Sequence, residues 1–255
     1  MSAYDMIEVE GLVKVYPGGI RAVDGIDFGV ERGEFVGFLG PNGAGKSSTL
    51  KVLSTLLKKT TGRVTVAGHD VDKDPMAVRR SIGFAMQGVL YKLPRREAER
   101  RAEELMELVG LTSAGDRKVG SYSGGMRRRI DLIGALMPSP PLLFLDEPTT
   151  GLDPQSPMAI WEQLTRLNRD GVTILLTTQM MDEADHLCQR VAIIDLGRII
   201  AGGSPQELKS KWAATSSLSR LILPVRSSVG GRSRRRRRWL GRGATSSSRP
   251  PVIMG

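Results

Sequence analysis

The chain has 255 residues, 40% hydrophobic and 5% aromatic, enough to build an aliphatic core in one large domain or two small ones. Its formal charge of +10 is unevenly placed: from Leu208 onward stand two lysines, ten arginines and no acid, which leaves residues 1–207 at −2 and gives that near-neutral body no compositional case for nucleic-acid binding. A single cysteine, Cys188, excludes an internal disulfide and fits a reducing cytosol, and no stretch reaches the roughly 18 uninterrupted apolar residues of a membrane span.

Met1–Glu8 lacks the basic and apolar regions of a signal peptide, so none is expected. Ile7 to Val15 alternates apolar and polar residues and predicts a strand. Pro17-Gly-Gly19 is a turn, and Ala22 to Val30 a second strand. Glu34-Phe-Val-Gly-Phe-Leu39 is an apolar run bounded by glycines and predicts a buried strand. Leu50, Leu53, Leu56 and Leu57 recur at helical spacing over Ser48 to Leu57. Arg63 to Ala67 is a short strand, which with the first two forms an antiparallel layer beside the buried one. Asp74-Pro75 opens a short helix. Ile82 to Met86 is a strand ending at Gln87. Glu97 to Val109 is an amphipathic helix stopped by Gly110. Ser123 to Leu136 is another, begun by Ser-Gly-Gly and stopped by Pro138. Leu142 to Leu145 is an apolar strand ending in Asp146-Glu147. A helix over Pro157 to Asn168, a strand over Val172 to Thr177 and a helix over Met181 to Gln189 follow. Val191–Ile194 and Arg198–Ala201 make a hairpin around Leu196-Gly197. Strands alternating with helices predict a parallel α/β core. From Ala213 the chain is rich in Ser, Gly and Arg, with an unbroken run from Arg234 to Arg238. Such a segment cannot bury enough apolar surface to offset its ordering entropy, and disorder is expected.

Gly40-Pro-Asn-Gly-Ala-Gly-Lys-Ser47 fits G-x-x-x-x-G-K-[ST], and it stands between a strand and a helix as a phosphate-binding loop requires. Backbone N–H groups and the helix dipole favour an anion there. Gly40, Gly43 and Gly45 permit close approach to phosphates. Lys46 is placed to reach the β- and γ-phosphates of a nucleotide, and the Ser47 hydroxyl to ligate Mg²⁺. Asp146, at the end of its apolar strand, can hold Mg²⁺, and Glu147 can orient and polarise an attacking water. Ser123 with the N–H groups of Gly124 and Gly125 makes an anion-binding helix start. Gln87 follows a strand and can reach the metal or the water. Tyr16 lies upstream of the loop, where its ring can stack on adenine. Taken singly, Ser-Gly-Gly is an ordinary turn, Gln87 a surface residue and Tyr16 a core residue. Their order along one chain is what gives them force.

That order resembles the nucleotide-binding subunit of ABC transporters over about residues 6 to 211. Tyr16 matches the aromatic adenine loop and Gly40 to Ser47 Walker A. Gln87 matches the Q-loop, Tyr122 to Met126 the signature motif, Leu142 to Glu147 Walker B with its catalytic glutamate, and Gly151-Leu-Asp153 the D-loop. Ser-Gly-Gly-Met-Arg-Arg-Arg, Thr-Thr-Gly-Leu-Asp-Pro-Gln and Leu-Thr-Thr-Gln-x-x-x-Glu-Ala-Asp are similar to the daunorubicin-resistance type, which pairs with a separate permease and exports drugs or lipids.

The resemblance implies an α/β fold: a P-loop NTPase core with a parallel sheet, a flanking antiparallel β layer and a helical subdomain at about residues 88–138. The nucleotide-binding domain then spans residues 1–212 and the Arg/Ser-rich tail 213–255. It implies that ATP is held by Tyr16, Gly40, Pro41, Asn42, Gly43, Ala44, Gly45, Lys46, Ser47 and Ser48, and in a homodimer by the partner subunit's signature residues and D-loop, the counterparts of Ser123, Gly124, Gly125 and Asp153. Mg²⁺ falls to Ser47, Gln87 and Asp146. Catalysis falls to Glu147 and to Gln179, which stands where most relatives carry a switch histidine and can donate a hydrogen bond but not take a proton as imidazole does. It implies an ATPase at the cytoplasmic face of the membrane driving an ABC-2-type permease for drug, antibiotic or lipid efflux. Beside this type, the stretch from Gln87 to Lys92 is roughly 15–20 residues short, more than one mean helix. Two other readings stand beside the transporter ATPase: a soluble ABC-type ATPase acting on nucleic acid or ribosomes, and a paralogue that binds ATP with hydrolysis or coupling impaired. A GTPase is disfavoured, since no Asn-Lys-x-Asp motif occurs.

Overall fold

The computed structural model describes residues 5–85, 95–150 and 157–211. The chain opens with β1 (Ile7–Val15) and β2 (Arg21–Val30), an antiparallel pair turning at Tyr16–Ile20, where the Tyr16 N–H donates to the Ile20 carbonyl. Then come β3 (Phe35–Leu39), α1 (Lys46–Leu53), β4 (Thr61–Val66), β5 (His69–Asp70), α2 (Pro75–Ser81) and β6 (Ile82–Ala85). Next are α3 (Arg95–Leu108), α4 (Gly124–Leu136), β7 (Leu142–Asp146), α5 (Pro157–Arg169) and β8 (Thr173–Thr178). The described part closes with α6 (Met181–Leu187), β9 (Arg190–Asp195) and β10 (Arg198–Gly203).

Two sheets result. One is antiparallel, in the order β2-β1-β4-β5, as the alternating patterns of its first three strands predict. The other runs β10-β9-β3-β8-β7-β6, parallel throughout except for the β9–β10 hairpin. In the second sheet β3 and Leu142 to Leu145 of β7 are apolar throughout, and β8 is buried at every position, because both faces are covered. Val36, Phe38, Leu142, Phe144, Leu175, Ala192 and Ile194 point to the antiparallel sheet and α1. Phe35, Leu143, Leu145, Ile174, Leu176 and Val191 point to the helices α3 to α6. Each fully buried Leu or Phe in such a layer contributes roughly 1.5–3 kcal/mol. Phe28 of β2 meets Phe38 edge-on, ring centroids 4.9 Å apart, and so joins the two sheets.

Two predicted helices are shorter than their periodicity suggests. The helix read over Ser48 to Leu57 ends at Leu53: Thr55 turns to φ 62°, the amides of Ser54, Thr55 and Leu57 take up the last carbonyls, and Leu56 faces solvent. The helix read over Met181 to Gln189 ends at Leu187. Cys188 is already extended, and Gln189 instead completes the start of β3, donating its N–H to the Phe35 carbonyl (2.9 Å) while its side-chain oxygen accepts from the Phe35 N–H (2.5 Å). Met86, Gln87, the short connection to Lys92, the Gly151–Asp153 segment and the tail from 213 lie outside the described residues.

Candidate functional site

The parallel strands β3, β8 and β7 are neighbours, and the loops after all three carry the candidate site residues. This is where open α/β sheets place ligands, beyond the carboxyl ends of the strands. Register sets the pieces level with one another: Leu39 pairs with Thr178, and Asp146 with Thr177.

The phosphate loop leaves β3 at Gly40 and enters α1 at Lys46, with Gly45 at φ 107° as its cap and no acid in the first helical turn. Two of its glycines are sterically required. A Cβ on Gly40 would lie 2.1 Å from the Ile194 carbonyl oxygen, and one on Gly45 would lie 2.3 Å from that of Ala22. Pro41, Asn42 and Gly43 are exposed at the tip, while Ala44 is buried and accepts from the Gly197 N–H of the β9–β10 turn.

Lys46 is 4% exposed. Its ammonium donates to the carbonyls of Gly40 (2.7 Å) and Pro41 (3.0 Å) and lies 3.4 Å from Oε1 of Glu147. A buried ammonium needs such partners, since desolvation is costly when charge is unpaired. The Ser47 hydroxyl donates to Oδ1 of Asp146 at 2.9 Å, and Thr177 Oγ1 donates to the same oxygen at 2.6 Å. Gln179 Nε2 donates to both carboxylate oxygens of Glu147, each at 3.1 Å, and Thr150 Oγ1 to one of them at 3.2 Å. Glu147 stands in the left-handed region at φ 50° and is held there by its own N–H, which donates to the Thr177 carbonyl (3.0 Å) and hydroxyl (3.1 Å). Such a backbone persists in a bulky residue only where its surroundings fix it.

Tyr16 lies beside this group, its hydroxyl 3.1 Å from Ser48 Oγ and the Lys14 ammonium 5.3 Å from its ring centre. Ser123 is the N-cap of α4, its hydroxyl accepting from the Met126 N–H (3.3 Å), and Gly124 and Gly125 form the first turn. A cleft of about 720 Å³ separates this helix start from the loop. Asn42, Ser47, Asp146 and Glu147 line one side, Gly124, Arg127 and Arg128 the other. The structure thus brings Lys46, Ser47, Asp146, Glu147 and Gln179 into one hydrogen-bonded cluster, with Tyr16 and Ser48 adjoining and Gly124 across the cleft. Gln87 and Asp153 lie outside the described residues.

Sequence reading passed over Thr177, Thr150 and Arg128. The first had a signal: two threonines follow the Ile174-Leu-Leu176 run of a fully buried strand, and polar groups at the end of a buried strand need partners.

A family model described as "ABC transporter" matches residues 23–150. The chain is 48% identical over 221 residues, covering 80% of this chain and 67% of the other, to the daunorubicin/doxorubicin resistance ATP-binding protein DrrA of Streptomyces peucetius. Among solved structures it is similar to cbiO1 from Clostridium perfringens, part of the ABC transporter complex cbiONQ, with TM-score 0.73 and 28% identity over 85% of this chain and 95% of that one. It is also similar to the cassette MJ0796, a dimer in a post-hydrolysis state bound to ADP and Pi, with TM-score 0.71 and 25% identity over 78% and 99% of the two chains.

Proposed function

The chain belongs to the ABC transporter family as an ATP-binding cassette ATPase, and from that premise we propose that it hydrolyses Mg-ATP as a homodimer at the cytoplasmic face of the membrane, powering a separate ABC-2-type permease that exports a drug, antibiotic or lipid. The observation that carries the proposal is the cluster of Lys46, Glu147 and Gln179 beside Ser47 and Asp146. The resistance protein of Streptomyces peucetius supports the export reading, and the dimeric MJ0796 cassette supports the dimer. Among the described residues no helix is long and apolar enough to cross a membrane, so on this reading the span belongs to the permease. We assign residues 1–212 to the nucleotide-binding domain, with the helical subdomain near 88–138.

Lys46 supplies the buried positive charge for the β- and γ-phosphates, and the open amides of the loop receive the remaining phosphate oxygens. Ser47 Oγ and Asp146 Oδ1 are hard oxygen donors already within 2.9 Å of each other, a pairing that fits Mg²⁺, which binds few protein ligands and keeps several waters. Mg²⁺ held by Ser47 and Asp146 would supply neutralisation of the negative charge on the nucleotide phosphates. Thr177 keeps Asp146 aimed by donating to the same oxygen. Glu147 orients and polarises the attacking water, and Gln179, donating to both of its oxygens, fixes the plane of the carboxylate without taking a proton itself. Tyr16 takes the adenine end. Ser123 and the first amides of α4 in one subunit close on the γ-phosphate held by Lys46 of the other.

Glu147→Gln preserves shape and hydrogen bonding while removing the carboxylate. It is expected to keep ATP binding, to lower turnover by roughly 10²–10⁴-fold, and to accumulate as a dimer on size exclusion when ATP is present. A variant turning over at the parent rate would show that Glu147 is not the base.

A further inference from the structure

Three consecutive arginines follow Met126 on α4, and helical geometry sends them in three directions. Arg127 is exposed and lines the cleft. Arg129 reaches back to the end of α3, donating to the Val109 carbonyl at 3.2 Å. Arg128 turns toward the strand end at β7. Its Nε donates to the carbonyl of Pro148 at 2.9 Å and its Nη2 to that of Asp146 at 2.5 Å. These are the carbonyls of the two residues that flank Glu147.

We infer that Arg128 is a positioning residue for Glu147, clamping the turn that aims the carboxylate and tying that aim to the placement of the signature helix. The planar guanidinium suits the task, because its fork presents several donors in fixed relation and can hold two carbonyls at once. Glu147 is the residue that needs holding, standing at φ 50° between the two gripped carbonyls. Its own N–H is tied to Thr177 of β8, so the turn is fastened from β8 on one side and from α4 on the other. The guanidinium keeps a further acidic neighbour, Asp131 one turn along α4, at 4.0 Å. Arg128 also lines a small hollow with the apolar residues Leu132, Leu145, Pro148, Ile160 and Leu164. Arg128 sits one turn after Gly124, so any shift of the helix start relative to β7 reaches Glu147 through two hydrogen bonds. The inference rests on the reading of Glu147 as the base, and it concerns turnover rather than nucleotide affinity, since Arg128 touches neither Lys46 nor Ser47.

The test is a double-mutant cycle in the full chain, reading single-turnover ATP hydrolysis and the affinity for a fluorescent ATP analogue. Arg128→Ala is expected to lower the rate constant by about ten- to a hundredfold and to leave analogue affinity within about twofold. Arg128→Lys can serve one carbonyl only and should recover a minor part. Millimolar guanidinium should restore rate to Arg128→Ala and none to Glu147→Gln. In the Glu147→Gln background, Arg128→Ala should lower the residual rate no further. Arg129→Ala, which also loses a guanidinium–carbonyl bond on α4, serves as the comparator for a purely structural effect and should keep its turnover. Equal losses from Arg128→Ala in both backgrounds, or a fall in affinity matching the fall in rate, would overturn the assignment of Arg128 while leaving Glu147 in place. A parent-like rate in Glu147→Gln alone would overturn both. If Arg128→Ala folds poorly, Arg128→Lys carries the same comparison.

Discussion

Thr177 shows how much of this site depends on one hydroxyl. It donates to Asp146 and accepts from the Glu147 N–H, so two adjacent carboxylate residues with different proposed tasks share one neighbour. Thr177→Val keeps the shape of the side chain and removes both contacts. Glu147 retains its backbone bond to the Thr177 carbonyl, and Asp146 retains the Ser47 hydroxyl. The loss is therefore partial. A net hydrogen bond is worth about 1 kcal/mol, which predicts a five- to tenfold rise in the Mg²⁺ concentration needed for half-maximal turnover, together with a similar fall in kcat. Titrating Mg²⁺ against ATPase rate checks this. An unchanged Mg²⁺ dependence would mean that Thr177 does not support Asp146.

Whole elements show which parts of the fold were legible. Strand β3 and Leu142 to Leu145 of β7 are legible as apolar runs, and β8 through its Ile174-Leu-Leu176 centre, because strands buried on both faces carry no polar alternation there. The phosphate loop and Asp146-Glu147 were readable because each has a fixed spacing from such a strand. Arg128 was not, since its place follows from the rotation of α4, which leaves no local pattern; for Thr177 the sequence shows only a polar strand end, and its two partners follow from strand register. The ends of α1 and α6 differ from the periodicity for two reasons: leucines continue the helical period past Leu53 although a left-handed Thr55 closes α1 locally, and α6 stops where Gln189 pairs with Phe35 of β3. One contact between elements permits a sharp test. Gly37 lies mid-strand in β3, where a Cβ would come within 2.7 Å of the Cys188 Sγ beyond the end of α6. Burial also pushes the Cys188 thiol far above the ordinary cysteine range, with the Glu183 charge adding to it, so this sulfur acts as packing rather than as a nucleophile. Gly37→Ala should cost about 1–3 kcal/mol of stability by overpacking. Cys188→Ala in the same chain should return most of that, although alone it leaves a small void. Urea unfolding of the four chains measures the coupling, and simple additivity would show that the two positions do not meet.

At the scale of the molecule, the excess positive charge lies beyond the described residues. The buried core among the described residues ends at Leu208, and the described candidate site lies between Tyr16 and Gln179. The chain through Lys211 has no net charge, so the whole +10 belongs to the residues beyond it. Removing them should leave the fold and the site alone while abolishing whatever the charge does. Basic residues near an anionic bilayer contribute about 1 kcal/mol each, falling off within a Debye length. A chain truncated after Lys211 is therefore expected to bind the fluorescent ATP analogue as tightly as the full chain and to melt within about 2 °C of it, a shift smaller than 1 kcal/mol gives in a domain of this size. The full chain should sediment with phosphatidylglycerol vesicles at low salt and be released as salt rises, and the truncated chain should stay in the supernatant throughout. Loss of ATP affinity on truncation, or a drop in melting temperature well beyond that range, would place residues after Lys211 within the folded domain and move its boundary toward the C-terminus.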